Sequence, residues 1–341
     1  APDAVETALI KADYLFTTGK AEEAVALLKQ ACEKSPKNPA LWMAQVNGLG
    51  KLGRTDEAMI AIDAATKAAG ENAAFRTSKA YLYIMGGESS SARATLIDGL
   101  DRVPVEQRPA IWKSLGEYHQ GQSDVVAARK AYKEWATLQP DSVEPRLGLL
   151  NLAIATGDID AMRIEVEALK SIAGTASLYW KIAQSELLLQ AKLPPNGPKD
   201  PQEAVRLEEL SKLTREIKSA IPRQPAGHVL EARMYERLER FDDAIANYQT
   251  ALDLRGGQQV ALRPLVVLLT RLRRNDELES LRKKVASFPS DVDQLSNRLT
   301  LQLGDGERAE LMAKRMVEGD PESLNARLWQ VRVLNTLGKP E

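Results

Sequence analysis

The most regular hydrophobic pattern in this chain lies between Phe241 and Leu254, in the segment FDDAIANYQTALDL. Apolar side chains recur there three and four residues apart, whereas Asp242, Asp243 and Asn247 fall mostly on the opposite side. This spacing predicts an amphipathic helix with one apolar face. The two aspartates near its start suit the positive end of the helix dipole. Other helices must cover the apolar face, and related segments occur along the chain.

The same kind of pattern returns at a fixed interval near the amino-terminal end. A recurring glycine predicts the end of a first helix, called helix A. The other three recurring positions fall in a second helix, called helix B. Agreement at four positions in three copies indicates a true repeat. Residues that are 34 positions apart form four sets: Gly19, Gly53 and Gly87; Ala24, Ala58 and Ala92; Leu28, Ile62 and Leu96; Ala31, Ala65 and Gly99.

A helix-turn-helix period of this length resembles the tetratricopeptide repeat. Small residues in helices A and B allow neighbouring helices to approach closely, and a large residue four positions further on in helix B fills the space between layers. The register continues after a two-residue slip near Arg108 and includes the Phe241–Leu254 helix in a seventh unit. The resemblance covers nearly the whole chain. It implies an all-α, right-handed superhelical solenoid of antiparallel helix hairpins, with about nine repeats and a terminal half-repeat.

The register is interrupted after residue 190. The segment Lys192–Pro201 holds four prolines in ten residues, which excludes a helix interior. We therefore predict an amino-terminal array over 1–189, a proline-rich inserted loop over 190–205, and a carboxy-terminal array over 206–341 that continues the same solenoid. The second helix of this interrupted unit is expected from about Gln202 to Ala220.

The last repeat, from Leu324 to Gly338, contains only a helix A. An unpaired terminal helix leaves its apolar face uncapped. We therefore expect the chain to be part of a longer array, and we predict self-association through this helix as one way to cover the face.

Composition excludes several classes of function. Lys and Arg number 46 against 47 Asp and Glu, so the charge gives no argument for nucleic acid or for adhesion to an anionic membrane. A single cysteine, Cys32, excludes a disulfide framework, and the two histidines, His119 and His228, lie in different units. No segment is long and apolar enough for a membrane span. No nucleotide-binding, hydrolase or metalloprotease motif is found. We expect no cofactor, no metal site and no catalytic activity.

In the tetratricopeptide family, partner peptides usually lie along the helix-A side of the array. The register places one such position directly after the small helix-A residue: Asp13, Asn47, Tyr81, Glu117, Asn151, Ser185, Arg233, Val267, Arg298 and Arg332. A second position lies four residues earlier: Leu9, Met43, Thr77, Lys113, Leu147, Lys181, Val229, Arg263, Gln294 and Leu328. The candidate partner-binding residues from these sets are Asn47, Tyr81, Lys113, Glu117, Asn151, Lys181, Arg233, Arg263, Arg298 and Arg332.

The four arginines of that set all lie in the last units of the array. A row of guanidinium groups suits carboxylate or phosphate groups on a partner. Alternatively, these arginines pair with acidic residues on neighbouring helices. Residues 226–341 are not basic overall, so any excess of positive charge is confined to one face of the helices.

The resemblance implies a non-catalytic scaffold that binds another protein or peptide, with an acidic partner as one option. Two other functions stay open: a cell-envelope assembly factor that handles an anionic polymer, and the regulatory repeat segment of a larger enzyme. The sequence leaves the compartment undecided between cytoplasm and periplasm.

Overall fold

The computed structural model describes residues 2–195, 197, 200–284, 306–319 and 324–339. Within these ranges the chain forms α-helices and two short 3-10 helices, and it contains no strand. It divides into two compact units, Ala1–Ile172 and Ala173–Glu341.

The first unit is built from five successive hairpins of one helix A and one helix B. Two 3-10 helices, Leu100–Arg102 and Val105–Gln107, lie between the third and fourth hairpins. The α-helices are α1 (Pro2–Thr17), α2 (Ala21–Lys34), α3 (Pro39–Lys51), α4 (Thr55–Ala69), α5 (Ala73–Met85), α6 (Ser89–Ile97), α7 (Arg108–Gly121), α8 (Val125–Leu138), α9 (Glu144–Thr156) and α10 (Ile159–Ala173).

The second unit continues with the same type of hairpin. Its described helices are α11 (Leu178–Gln190), α12 (Pro201–Ala220), α13 (Ala226–Arg237), α14 (Phe241–Asp253), α15 (Gly257–Arg271), α16 (Asn275–Lys284), α17 (Gly306–Gly319) and α18 (Leu324–Thr336). The predicted all-α repeat solenoid of helix hairpins is confirmed. Helix A of the predicted ninth repeat lies outside the described residues.

One hydrogen bond closes the turn from helix A to helix B in most hairpins. The N–H of the residue that ends the turn donates to a carbonyl five positions earlier, which is the Schellman closure of a helix end. The turn needs one residue with a left-handed backbone, which glycine supplies in several repeats. Ser123, Glu239 and Arg273 adopt the same conformation without being glycine. The closing bonds run from Lys20 to Leu15, Arg54 to Leu49, Glu88 to Tyr83, Asp124 to His119, Asp158 to Ala153, Arg240 to Tyr235 and Arg274 to Leu269.

The slip near Arg108 has a structural cause in the two 3-10 helices. Arg108 donates hydrogen bonds to the carbonyl oxygens of Asp101 and Val103, at 2.9 and 3.0 Å. Gln107 accepts a bond from the N–H of Ala73, at 3.1 Å, and so joins this segment to the start of α5. The added residues are therefore held by specific contacts, and the small residue of α7, Gly116, lies 36 residues after Ala80.

Close helix packing explains the small residues of the register. Tyr132 of α8 packs between α7 and α9, where two glycines face its ring. A Cβ atom on Gly116 would lie 2.5 Å from Tyr132 Cε1, and one on Gly148 would lie 2.9 Å from Tyr132 Cδ1. Such distances are too short for van der Waals contact, so the ring position requires glycine on both neighbours.

The Phe241–Leu254 pattern forms α14, and its apolar face is buried. Tyr248 and Ala251 are fully buried and belong to one core cluster with Ala232 of α13 and Val266 of α15. The Tyr248 hydroxyl donates to Glu236 at 2.7 Å. Burial raises the pKa of Tyr248, and the nearby Glu236 carboxylate raises it further. This stretch is therefore interior packing.

Helix α12 begins at Pro201, inside the range predicted as loop. Asp200 caps it by accepting a hydrogen bond from the N–H of Gln202, at 2.9 Å. The helix ends at Ala220, as the sequence pattern indicates. The three-part division of the chain at residues 190 and 205 stays a prediction.

One arginine connects the two ends of this proline-rich connection. Arg237 of α13 donates to the carbonyl oxygens of Leu189 and Ala191, at 3.0 and 2.7 Å, where α11 ends. Its Nε donates to Glu203 Oε1 at 2.8 Å, in the first turn of α12. Glu203 is 0% exposed and also pairs with Arg206. The Arg237 guanidinium therefore joins α11, α12 and α13 through a buried ion pair.

Candidate functional site

The five candidate residues of the first unit are all exposed. They lie on helices α3, α5, α7 and α9, and all except Lys113 directly follow a buried residue. Lys113 and Glu117 are one helical turn apart, with Lys113 Nζ 3.9 Å from Glu117 Oε1. An exposed pair of this kind contributes little to stability. That these residues contact a partner stays a prediction. The five are Asn47, Tyr81, Lys113, Glu117 and Asn151.

Tyr81 belongs to an exposed apolar patch on α5. Its side chain is 60% exposed, and Ile84 and Met85 are exposed beside it, one turn further along the helix. Aromatic and methionine side chains are enriched in protein interfaces. Tyr81 is therefore the candidate of the first unit that has the most apolar surface available.

Two basic candidates of the second unit, Lys181 and Arg233, pair with acids. Lys181 Nζ lies 2.8 Å from Glu216 Oε2, and this hydrogen bond lowers the pKa of Glu216. Arg233 Nη1 donates to both carboxylate oxygens of Glu186, at 2.6 and 2.7 Å. The alternative in which these side chains pair with neighbouring helices therefore holds for Lys181 and Arg233.

That the remaining arginines form a row with Arg233 stays a prediction. Arg263 is exposed on α15, and Arg332 is exposed on α18, where its guanidinium lies 6.0 Å from the centre of the Trp329 ring. Arg298 lies outside the described residues. Helix α18 also exposes Leu328 and Val331. Self-association through α18 stays a prediction.

The predicted register is wrong by one residue in α11. Ser185 was expected on the exposed side, but it is fully buried and its hydroxyl donates to the carbonyl oxygen of Lys181 at 2.8 Å. Glu186 takes the facing position and binds Arg233. Ser185 lies 34 residues after Asn151, so the repeat period alone did not reveal this change of facing residue.

A groove runs across the three successive A helices α11, α13 and α15. Its volume is about 510 Å³, and its lining includes Ile182 of α11, Val229 and Leu230 of α13, and Val260 and Pro264 of α15. The paired Glu186 and Arg233 side chains also line it. We call this cavity the α13 groove. It presents a mainly apolar surface around one neutral ion pair.

The residues that line the α13 groove include no cysteine and no histidine. Burial raises the pKa of the Cys32 thiol to about 11, with a smaller contribution from the Glu33 carboxylate. His119 Nδ1 is 3.6 Å from Asp124 Oδ2, but burial lowers the pKa of His119 more than Asp124 raises it. Among the described residues there is no cluster of His, Cys, Asp and Glu that could hold a metal ion. No helix in these ranges has both the length and the apolar character required to cross a bilayer.

Comparison with known proteins agrees with the repeat register. A family model described as tetratricopeptide repeat matches residues 15–80. The chain therefore contains tetratricopeptide repeats. No curated protein sequence matches this tetratricopeptide-repeat chain.

Two solved structures illustrate the likeness. A chain from the crystal structure of the APC/C hetero-tetramer Cut9-Hcn1 has a TM-score of 0.61 and 12% identity; the alignment covers 96% of this protein and 62% of the other chain. A tetratricopeptide-repeat protein from Parabacteroides merdae ATCC 43184 has a TM-score of 0.49 and 19% identity, with 77% and 98% covered. At these identities the likeness concerns the fold alone.

Proposed function

We propose that this tetratricopeptide-repeat chain is a non-catalytic scaffold that binds a segment of a partner polypeptide in the α13 groove. The observation that carries the proposal is the groove's apolar lining on three consecutive A helices. Val260 is 46% exposed at its edge, although the opposite face of the same helix is completely buried. Clefts of this size with apolar walls and few polar groups are typical binding sites.

The ion pairs favour an apolar segment over a strongly anionic one. The charge of Arg233 is balanced by Glu186, and that of Lys181 by Glu216. A polyanion would have to compete with these carboxylates for both cations. The proposal therefore departs from the acidic partner and from the anionic polymer considered on sequence grounds.

A displayed library of random peptides offers a direct test. Peptides selected on the intact chain are synthesised, and their dissociation constants are measured by calorimetry on the wild type and on two variants. Val260→Glu places a charge at the groove edge, and we expect at least a tenfold loss of affinity, or about 1.4 kcal/mol. Val205→Glu makes the same exchange at an exposed position on α12 and should change affinity less than twofold.

Circular dichroism and thermal melting should show that both variants keep the wild-type fold. The proposal is rejected if no selected peptide distinguishes Val260→Glu from Val205→Glu. In that case the peptides bind elsewhere on the chain.

A further inference from the structure

Helix α15 contains a proline in its interior. Pro264 is the eighth residue of Gly257–Arg271, and in the described helices every other proline lies in the first turn. Proline has no N–H, so the α-helical hydrogen bond to the carbonyl oxygen of Val260, four residues earlier, cannot form. The Val260 carbonyl therefore lacks the donor that a regular helix would provide.

This carbonyl belongs to the face of α15 that lines the α13 groove. Both Val260 and Pro264 are lining residues. In an α-helix the carbonyl of a residue points along the axis toward the residue four positions later, and the two side chains lie on one face. The Val260 oxygen is thus placed between two side chains of the groove wall.

The surroundings limit what can cover the oxygen. The neighbouring wall positions Val229 and Leu230 are apolar, the Arg233 guanidinium is held by Glu186 through Nη1, and Gln224 is the other polar residue of the lining. A purely apolar ligand would bury the carbonyl without a hydrogen bond, which is unfavourable. The best complement is an apolar side chain next to an N–H donor.

We propose that the occupant of the α13 groove is an extended segment of a partner polypeptide, which donates a main-chain N–H to the Val260 carbonyl oxygen. This rests on the proposed function. Main-chain N–H groups are free in an extended segment, whereas beyond its first turn a helical ligand uses them internally. An apolar side chain beside the donating residue occupies the groove between Ile182 and Val229.

Restoring the missing N–H tests the assignment. In Pro264→Ala and Pro264→Val, residue 264 donates to the Val260 oxygen and removes the free acceptor. We expect both variants to bind the library-selected peptides about tenfold more weakly, the value of one hydrogen bond. Their thermal midpoints should equal or exceed that of the wild type, because a helix-interior proline is unfavourable. The valine variant keeps apolar volume at the site, and Pro201→Ala at the first position of α12 is the matched control.

Ester substitution in the peptides identifies the donor. Each ester replaces one main-chain N–H by oxygen. One ester should weaken binding to the wild type about tenfold and have no further effect on Pro264→Ala, because the acceptor is already occupied there. The double-mutant cycle separates this hydrogen bond from lost contact with the proline ring.

The outcomes distinguish the two proposals. Peptides that are sensitive to Val260→Glu but bind Pro264→Ala and Pro264→Val with wild-type affinity would overturn the hydrogen bond and leave the α13 groove as a binding site. Peptides weakened by both proline variants but by no ester would show a side-chain donor and overturn the extended segment. If Val260→Glu affects no peptide, both proposals fail.

Discussion

Replacement of Arg237 by methionine should destabilise the second unit strongly. The change leaves the Glu203 carboxylate, which is 0% exposed, with Arg206 as its remaining described partner. It also removes the donor of the hydrogen bonds to the carbonyl oxygens of Leu189 and Ala191. Removing one partner of a buried ion pair costs about 3–5 kcal/mol. The Arg206 contact should keep the loss near the lower end, at about 3 kcal/mol.

The matched control is Arg163→Met on α10. Arg163 pairs with Asp160 at 3.1 Å, and both side chains are highly exposed. Loss of such a surface pair should cost less than about 0.5 kcal/mol. The assay is urea unfolding monitored by circular dichroism, combined with hydrogen exchange of the first turn of α12.

The reasoning also predicts partial recovery in a double variant. With Glu203→Gln added to Arg237→Met, the buried group is neutral, so part of the lost stability should return. If Arg237→Met is no more harmful than Arg163→Met, and exchange in α12 is unchanged, the buried ion pair does not join these helices in the way described.

Three further predictions concern the first unit. Ser123→Gly should raise the free energy of unfolding by about 1 kcal/mol, because Ser123 has a φ of 59°. The reverse exchange at the equivalent turn position, Gly157→Ser, should lower it. If urea unfolding shows changes of the same sign for both variants, the argument is wrong. Gly116→Ala should cost about 1–3 kcal/mol, since its Cβ would contact the Tyr132 ring; an unchanged unfolding midpoint would refute the packing argument. Cys32, with its pKa near 11, should react with iodoacetamide at least about a hundredfold more slowly near pH 8 in the native chain than in concentrated urea; similar rates would show that the thiol is accessible.

Much of the fold could be predicted from the sequence because each repeat meets the same steric demands. A left-handed turn residue favours glycine, and a narrow space between helices requires alanine or glycine, so these residues return at the helical-hairpin period. Ala232 follows this rule, and it shares a buried cluster with Tyr248. Such signals are local, so they can be recognised in the sequence without knowledge of distant contacts.

The candidate site could be predicted only in part because it depends on partners that spacing does not specify. Arg233 and Glu186 are 47 residues apart, with the irregular proline-rich connection between them. Arg237 and the Ala191 carbonyl are separated by 46 positions. Neither periodicity nor charge count shows which acid or carbonyl such an arginine will meet. A face that looks cationic in sequence is therefore nearly neutral where α11 and α13 pack.

Helix α15 shows how the same packing can permit an unfavourable residue at the groove. A proline inside a helix costs about 3 kcal/mol relative to alanine. The opposite face of α15 is fully buried at Leu265, Val266 and Leu269, and burial of each such side chain contributes about 1.5–3 kcal/mol. Interior packing can thus hold α15 in place although one of its own hydrogen bonds is missing. The buried core around Tyr248 is structural, and its stability is what allows the neighbouring wall of the α13 groove to keep an open carbonyl for a partner.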